Sequence, residues 1–449
     1  MSTPSELIVS VSGIRGIVGE SLTPQVALAF ASALGVHMQG GSVVVSRDGR
    51  PSGAMLRHAA MAGLAASGCE IHDLGVAPTP TVGLAVRTLH AAGGIQITAS
   101  HNPAPYNGLK LFGADGQVLS ASVGQQVRAL FEQQASRFVP YNEVGTVRYY
   151  RQAEEVHGDQ VLQMVDGGRV RAARFKAVLD GNGGAGGPLG RRLLQSLAVE
   201  TVGLACDADG FFRHEAEPTA ENLRDVCPQV RQHEADLGFA LDPDADRLAL
   251  IDETGRYIGE ELTLALAVLF RLRRERGPVV VNMSTSRVVE DIAARFGCPC
   301  HRSAVGEANV ADKMREVGAL IGGEGNGGVI DPRVGFVRDP FAGMAMVLNL
   351  MAETNRKLSE LVAGLPAYQI VKDKYTVDRG RLPELFPALQ KRWPDARVNT
   401  VDGLRLDWAD RWVHVRPSNT EPIVRVIAEA PQEDAAKALC REVGGLLAG

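Results

Sequence analysis

The chain is 449 residues long, more than one hydrophobic core can serve, so roughly three or four domains are expected. Hydrophobic residues make up 45% and charged residues 22%, the balance of an ordinary globular protein in water. A net charge of −5 with only 5% aromatic residues argues against a nucleic-acid scaffold, which needs basic faces and base-stacking platforms.

No basic segment followed by an apolar stretch opens the chain, so no secretory signal is expected. A strand–helix–strand pattern then recurs three times. Its first copy has the strand Ser42-Val43-Val44-Val45, a loop with Arg47, Asp48 and Arg50, a helix over 52–67 and the strand Cys69-Glu70-Ile71-His72. The second starts with Phe175-Lys176-Ala177-Val178-Leu179 and passes through a glycine-rich loop and a helix over 188–196 to Val199-Glu200-Thr201-Val202. The third starts with Pro278-Val279-Val280-Val281 and returns near Cys300-His301-Arg302 after a helix over 288–296. Each copy is the size of a parallel βαβ crossover, so three related α/β domains are expected in place of one large sheet. The apolar run at 262–270 is too short for a membrane span and reads as a core helix. Beyond Gly364-Leu365-Pro366, which reads as a hinge, short strands and a last helix over 432–447 suggest a smaller α+β domain. The expected division is 1–150, 151–255, 256–366 and 367–449. Six scattered cysteines, without zinc-knuckle spacing, point to reduced thiols in a cytoplasmic protein.

Chemistry concentrates in a few stretches. Gly13-Ile14-Arg15-Gly16 offers a planar cationic fork between glycines, suited to phosphate. Thr98-Ala99-Ser100-His101-Asn102-Pro103 follows a strand-like run and puts Ser100 on a tight turn, as a phosphoryl carrier, a hydrolase nucleophile or a cap. The glycines of a hydrolase elbow are absent there. Lys110 follows an Asn107-Gly108 pair and either leans back over the serine or is solvated beside a turn. Gly181-Asn182-Gly183-Gly184-Ala185-Gly186 matches a dinucleotide fingerprint, but no acidic residue closes the next strand, so packing glycines are the preferred reading.

Asp242-Pro243-Asp244-Ala245-Asp246-Arg247 packs three carboxylates into five residues, a mutual repulsion that a hard cation relieves. Glu253 falls at the twelfth place of a calcium loop, but Arg247 stands where that loop needs glycine, so an open magnesium site fits better. In Gly322-Gly323-Glu324-Gly325-Asn326-Gly327-Gly328, Glu324 is placed to accept from vicinal sugar hydroxyls. Arg416-Pro417-Ser418-Asn419-Thr420-Glu421-Pro422, with Arg425, gathers hydroxyls, an amide and two guanidinium groups into an anion nest.

Taken in this order, these stretches resemble the α-D-phosphohexomutase family, with Thr98 to Pro103 as phosphoserine loop, Asp242 to Arg247 as metal loop, Gly323 to Gly328 as sugar loop and Arg416 to Pro422 as phosphate loop. The resemblance covers essentially the whole chain. It implies a four-domain, heart-shaped α/β enzyme around a central cleft, with Ser100 phosphorylated when active and Mg²⁺ held by Asp242, Asp244, Asp246 and the serine phosphate. Many members read Gly-Glu-x-Ser-Gly-His in the sugar loop. Here Asn326 and Gly328 replace the serine and the histidine, so a candidate acid/base histidine is missing; this form, with Val305-Gly306-Glu307-Ala308-Asn309 upstream, is similar to the archaeal-type phosphoglucosamine mutase branch.

The activity implied is exchange of hexose 1- and 6-phosphates through a hexose 1,6-bisphosphate, with phosphoglucosamine as first candidate and mannose or glucose phosphates as the alternative. A non-catalytic sugar-phosphate sensor and a hydrolase are the competing readings. Ser100, Lys110, His101 and Arg15 are the expected catalytic residues. Glu324, Asn326, Arg247, Arg416, Ser418, Asn419, Thr420 and Arg425 are the expected substrate contacts. A small-molecule hexose phosphate is the expected partner, with no nucleic acid or membrane, for a monomer or homodimer.

Overall fold

A computed structural model describes residues 6–377, 379–417 and 423–448. Four sheets follow one another along the chain. The first has seven strands in the spatial order Ile8–Ser10, Gly13–Ile17, Tyr106–Gly113, Gly93–Ile97, Val43–Arg47, Ile71–Val76, Val147–Tyr149. The second orders Tyr257–Gly259, Leu248–Asp252, Leu237–Leu241, Lys176–Asp180 and Glu200–Leu204. The third orders Cys300–Ser303, Val279–Asn282, Ile321–Glu324 and Gly328–Ile330.

The three crossovers expected from the sequence are present, and each pairs its two strands in parallel. Within Val43–Arg47, Lys176–Asp180 and Val279–Asn282, residues 43–45, 177–179 and 279–281 are apolar and fully buried, because they lie inside a sheet with both faces covered. A further regularity was not visible in the sequence. In each unit a third strand lies parallel to the first strand of the crossover and then folds straight back as an antiparallel partner. These pairs are Gly93–Ile97 with Tyr106–Gly113, Leu237–Leu241 with Leu248–Asp252, and Ile321–Glu324 with Gly328–Ile330. The three connections are residues 98–105, 242–247 and 325–327. All three therefore leave the carboxyl edge of a parallel pair, where α/β sheets bind ligands.

Of the two readings left open for Lys110, the one that set it beside a turn fails here. Residues 106–109 are strand, hydrogen-bonded to Gly13–Ile17, and not a turn. A side chain at Gly108 would strike the Ile14 carbonyl oxygen and come within 2.8 Å of that of Thr98, so glycine answers crowding between strands here, not chain reversal.

The helices Glu260–Leu272 and Pro340–Thr354 are buried on almost every side. They join the second and third units into one continuous core that runs from Val161 to Leu365. Asp339 caps the second of them by accepting from Phe341 N and Ala342 N at 2.9 and 3.2 Å. Its other oxygen meets His157 Nε2 at 2.9 Å, and His157 Nδ1 meets Thr81 Oγ1 at 2.9 Å, which ties the first three units at one buried point.

The C-terminal unit keeps a core of its own around Trp393, Leu404, Val424 and Val443. Its five-stranded antiparallel sheet includes Arg397–Asn399 and Leu404–Asp407, which the sequence reading did not single out. All six cysteines are free thiols. Among the described residues no helix is long and apolar enough to cross a membrane.

Candidate active site

Ser100 sits on the connection after Gly93–Ile97 with φ +49°, in the left-handed region that few non-glycine residues adopt. Asp48 and Arg50, from the loop after the neighbouring parallel strand, hold it there. Arg50 donates through Nη2 to the Ser100 and Asn102 carbonyls, both at 2.7 Å, and through Nη1 to the Pro103 carbonyl at 3.0 Å. Asp48 accepts from Arg50 Nε at 3.1 Å and from Thr98 Oγ1 at 2.7 Å, and Thr98 Oγ1 in turn accepts from Ser100 N at 2.8 Å. Arg15 reaches the same loop, donating to Asn102 Oδ1 at 2.6 Å. His101 Nδ1 lies 3.3 Å from Ser100 Oγ. Burial, with Arg247 and Arg15 nearby, pushes that imidazole down to about 3, so it is neutral.

The second unit brings its acidic loop to this serine, with Ser100 Oγ 3.3 Å from Asp242 Oδ2. One carboxylate oxygen from each of Asp242, Asp244 and Asp246 can be chosen so that all three lie within 4.8 Å of one another, and all three residues are buried. Apart from the serine contact, each is held through a single oxygen. Asp242 Oδ1 accepts from Asp246 N and Arg247 N at 3.0 and 3.1 Å. Asp244 Oδ2 accepts from Thr79 Oγ1 at 2.7 Å, and Asp246 Oδ2 from Lys110 Nζ at 3.0 Å and Arg338 Nη2 at 2.5 Å. Asp244 Oδ1 and Asp246 Oδ1 are left buried without a hydrogen-bond partner. Buried, orphaned carboxylate oxygens are costly, and a hard divalent cation satisfies them, so the donor set fits Mg²⁺. Glu253 takes no part: both its oxygens go to Ser359.

Lys110 bridges Asp246 and Glu307, both at 3.0 Å. Burial alone would lower its ammonium, but Glu307 and Asp246 outweigh burial and hold it above its ordinary value. Glu324 ends its strand with one oxygen on Asn282 Nδ2 and Gly306 N, at 2.8 and 2.9 Å, and the other on Arg338 Nη1 at 2.9 Å. Asn326 Oδ1 is buried with no hydrogen-bond partner. Arg247 reaches Glu217 at 3.2 Å and stands 3.9 Å from Asp246 Oδ1.

In the C-terminal unit, Arg416 and Arg425 face each other across adjacent strands, and Lys374 pairs with Arg425 on the next. Like charges in register destabilise a sheet, and an anion laid over them removes that cost. Arg416 Nε makes an ion pair at 3.2 Å with Asp402, whose Oδ2 also accepts from Val305 N of the third unit at 3.0 Å. Ser418, Asn419 and Thr420 lie outside the described residues.

Sequence reasoning missed Asp48, Arg50, Thr79, Glu307 and Arg338. None belongs to a run of chemically matched residues, and each meets the site only through the packing of distant segments. Asp48 and Arg50 were visible as loop residues, and Glu307 within the Val305 to Asn309 stretch, all without a role in the site. The glycines of the 181–186 run stand in close packing. A side chain at Gly184 would lie 2.6 Å from the Pro243 backbone, so these glycines let the second unit close onto the metal loop.

Three carboxylates beside a serine, in three sheets built alike plus a fourth, define a phosphohexomutase, and comparison with known proteins bears this out. The descriptions "Phosphoglucomutase/phosphomannomutase, alpha/beta/alpha domain" I, II and III match residues 7–138, 155–255 and 259–368, and the C-terminal domain of the same family matches 368–444. The chain belongs to this family and is an enzyme, an isomerase that works by phosphoryl transfer. It fits the archaeal-type branch: a probable phosphoglucosamine mutase of Methanopyrus kandleri is 38% identical over 95% of both chains. A phosphoglucomutase/phosphomannomutase of Thermococcus kodakarensis is 36% identical over 95% of both. The crystal structure of a phosphoglucomutase/phosphomannomutase family protein from Burkholderia thailandensis superposes with a TM-score of 0.85 at 28% identity, covering 98% of this chain and 96% of that one.

Proposed function

We propose that this chain interconverts a hexose 1-phosphate and its 6-phosphate, with Ser100 as the phosphoryl carrier. The observation that carries the reading is the meeting of Ser100 Oγ, 3.3 Å from Asp242, with three buried carboxylates, of which Asp244 and Asp246 each keep an unpartnered oxygen that suits a divalent cation. Asp242, Asp244, Asp246 and the serine phosphate would hold Mg²⁺, which lowers the charge repulsion that a second phosphate or a hydroxyl meets on approach.

Phospho-Ser100 gives its phosphoryl group to the free hydroxyl of the bound sugar phosphate. The Oγ–P bond breaks, a sugar O–P bond forms, and the hydroxyl proton passes to the neutral imidazole of His101, while Lys110, already an ammonium, balances charge beside Asp246 and Glu307. The product is a hexose 1,6-bisphosphate. It turns over in the cleft, and its other phosphate returns to Ser100. Arg15 holds oxygens of the group in flight, and Arg247 steadies the acidic loop. Glu324 and Asn326 grip the sugar. Arg416 and Arg425, together with Ser418, Asn419 and Thr420, form the berth for the phosphate at rest.

Glucosamine phosphate is the first candidate substrate, because the relatives named probable phosphoglucosamine mutases span nearly the whole chain. The relative named phosphoglucomutase/phosphomannomutase makes glucose and mannose phosphates the alternative. The test is turnover of glucosamine, glucose and mannose 1-phosphates with Mg²⁺, each primed by its 1,6-bisphosphate. The reading expects 6-phosphate from at least one, fastest with glucosamine, and none from Ser100→Ala. Release of inorganic phosphate instead would make the chain a hydrolase, and binding without turnover would make it a sensor.

A further inference from the structure

The sugar loop of this chain ends in Gly328, where many family members carry histidine. The structure shows what uses the space. A Cβ built on Gly328 would overlap Arg338 Cδ and lie 2.7 Å from its Cγ, so no side chain at 328 coexists with Arg338 as it stands. Arg338 is 8% exposed. One arm donates to Glu324 Oε2 at 2.9 Å and the other to Asp246 Oδ2 at 2.5 Å. Its own backbone N–H is fixed on Glu307 Oε1 at 2.8 Å, and the next residue, Asp339, is the buried cap already described. A planar, permanently charged fork shared between two carboxylates fixes the spacing and orientation of both.

We propose that Arg338 takes over the space opened by Gly328 and is a positioning residue for the reaction: it aligns the Glu324 carboxylate for the sugar hydroxyls and couples it rigidly to the loop of Asp246. The inference rests on the mutase reading and assigns a role to two residues, Arg338 and Gly328, that act as a unit. Glu324 keeps Asn282 and Gly306 as partners when Arg338 is lost, but only on Oε1, so the carboxylate can rotate about that anchor. The sugar then meets a grip that is present but misaimed.

The experiment is steady-state kinetics on a hexose 1-phosphate, with calorimetric binding of the 6-phosphate, for wild type, Arg338→Lys, Arg338→Met, Gly328→Ala and the double variant Gly328→Ala/Arg338→Met. Arg338→Met should raise KM and the dissociation constant about tenfold or more, one misaligned charged contact being worth about 1.4 kcal/mol or above. Arg338→Lys, whose single ammonium reaches one carboxylate at a time, should fall between. Gly328→Ala should reproduce the Arg338→Met rise in KM, and the double variant should be no worse than the poorer single variant, because both remove the same alignment. Unchanged KM in Arg338→Met and Gly328→Ala, or losses that simply add, would overturn the proposal. Should Arg338→Met fail to fold, Gly328→Ala and Arg338→Lys decide it by the same criterion. An active wild type with unaltered variants defeats this inference alone, whereas a wild type that binds no hexose phosphate defeats the mutase reading and this inference together.

Discussion

Asp48 and Arg50 are both fully buried, and the ion pair they share carries the backbone of the serine loop on its far side. Burial raises the Asp48 carboxyl, while Arg50 and the Thr98 hydroxyl pull it back. Removing the guanidinium leaves a buried carboxylate uncompensated, which costs about 3–5 kcal/mol. Arg50→Met should therefore lower the urea unfolding midpoint by that equivalent and abolish turnover. Adding Asp48→Asn should recover part of the stability but none of the activity, since the loop carbonyls still lack their donors. A second residue-level consequence concerns Glu261. Its Oε2 accepts from Ser286 N at 2.9 Å, and it lies where a side chain at Gly325 would go. Burial pushes its carboxyl up to about 8 from an ordinary value of 4.5. Between those values the folded chain holds a proton that the unfolded chain has released, so stability falls as pH rises through that window. Glu261→Gln should flatten the fall, measured as unfolding free energy between pH 6 and 8, and an unchanged slope would refute the assignment. At this scale the sequence showed what is contiguous. Asp242, Asp244 and Asp246 announce themselves by repelling one another within five residues. Arg338 and Glu307 do not, because an arginine and a glutamate far apart in the chain carry no mark of sharing a site until packing joins them.

Among elements, the three hairpin-like connections set the geometry. Each functional loop is short and anchored at both ends by strands of the same sheet, which suits precise placement. The metal loop is also braced from outside. The Thr79 N–H and hydroxyl both bind Asp244, and Gly184 packs against Pro243. Gly184→Ala forces a methyl against backbone that cannot move independently of the aspartates. It should cut activity about tenfold at limiting Mg²⁺ and lower the measured affinity for Mg²⁺, with the melting temperature reporting whether the fold survives. Wild-type Mg²⁺ affinity in that variant would show that the brace is dispensable. The crossovers were legible because runs such as Val43-Val44-Val45 bury on both faces. The strand at 106–109 was not, because Asn107-Gly108 carries turn chemistry locally while crowding against the Ile14 and Thr98 backbone demands glycine for another reason.

Across the molecule, the contrast is between a shared apolar core and a polar joint. The second and third units share one core, whereas the C-terminal unit meets the third through hydrogen bonds: Ser284 to His414 at 3.0 Å, Arg287 N to Glu429 at 2.9 Å, Val305 N to Asp402 at 3.0 Å, and Arg405 to the Met283 carbonyl. Polar joints of this kind permit domain motion. The joint begins where the helix Leu358–Ala363 ends at Gly364. In the proposed reaction a bisphosphate reverses before it is released, and that proposal makes its retention depend on this unit staying closed. Inserting one glycine after Gly364 should raise the bisphosphate released per turnover severalfold with little change in melting temperature, and unaltered release would count against closure as the retaining device. The four-unit order was readable from the succession of motifs. The polar joint was not, because Met283, Ser284, Arg287 and Val305 lie in loops of the third unit and meet partners about a hundred residues further along the chain.

The account stands on one act, the loan and return of a phosphoryl group by Ser100. It is measured most directly by incubating the full chain with Mg²⁺ and a hexose 1,6-bisphosphate bearing radiolabelled phosphate, then locating the label by peptide mapping before and after a chase with unlabelled hexose 6-phosphate. The label should appear on the peptide that carries Ser100 and move to the sugar during the chase without release of inorganic phosphate. A protein that takes up no label, takes it elsewhere, or sheds it to water would contradict the account.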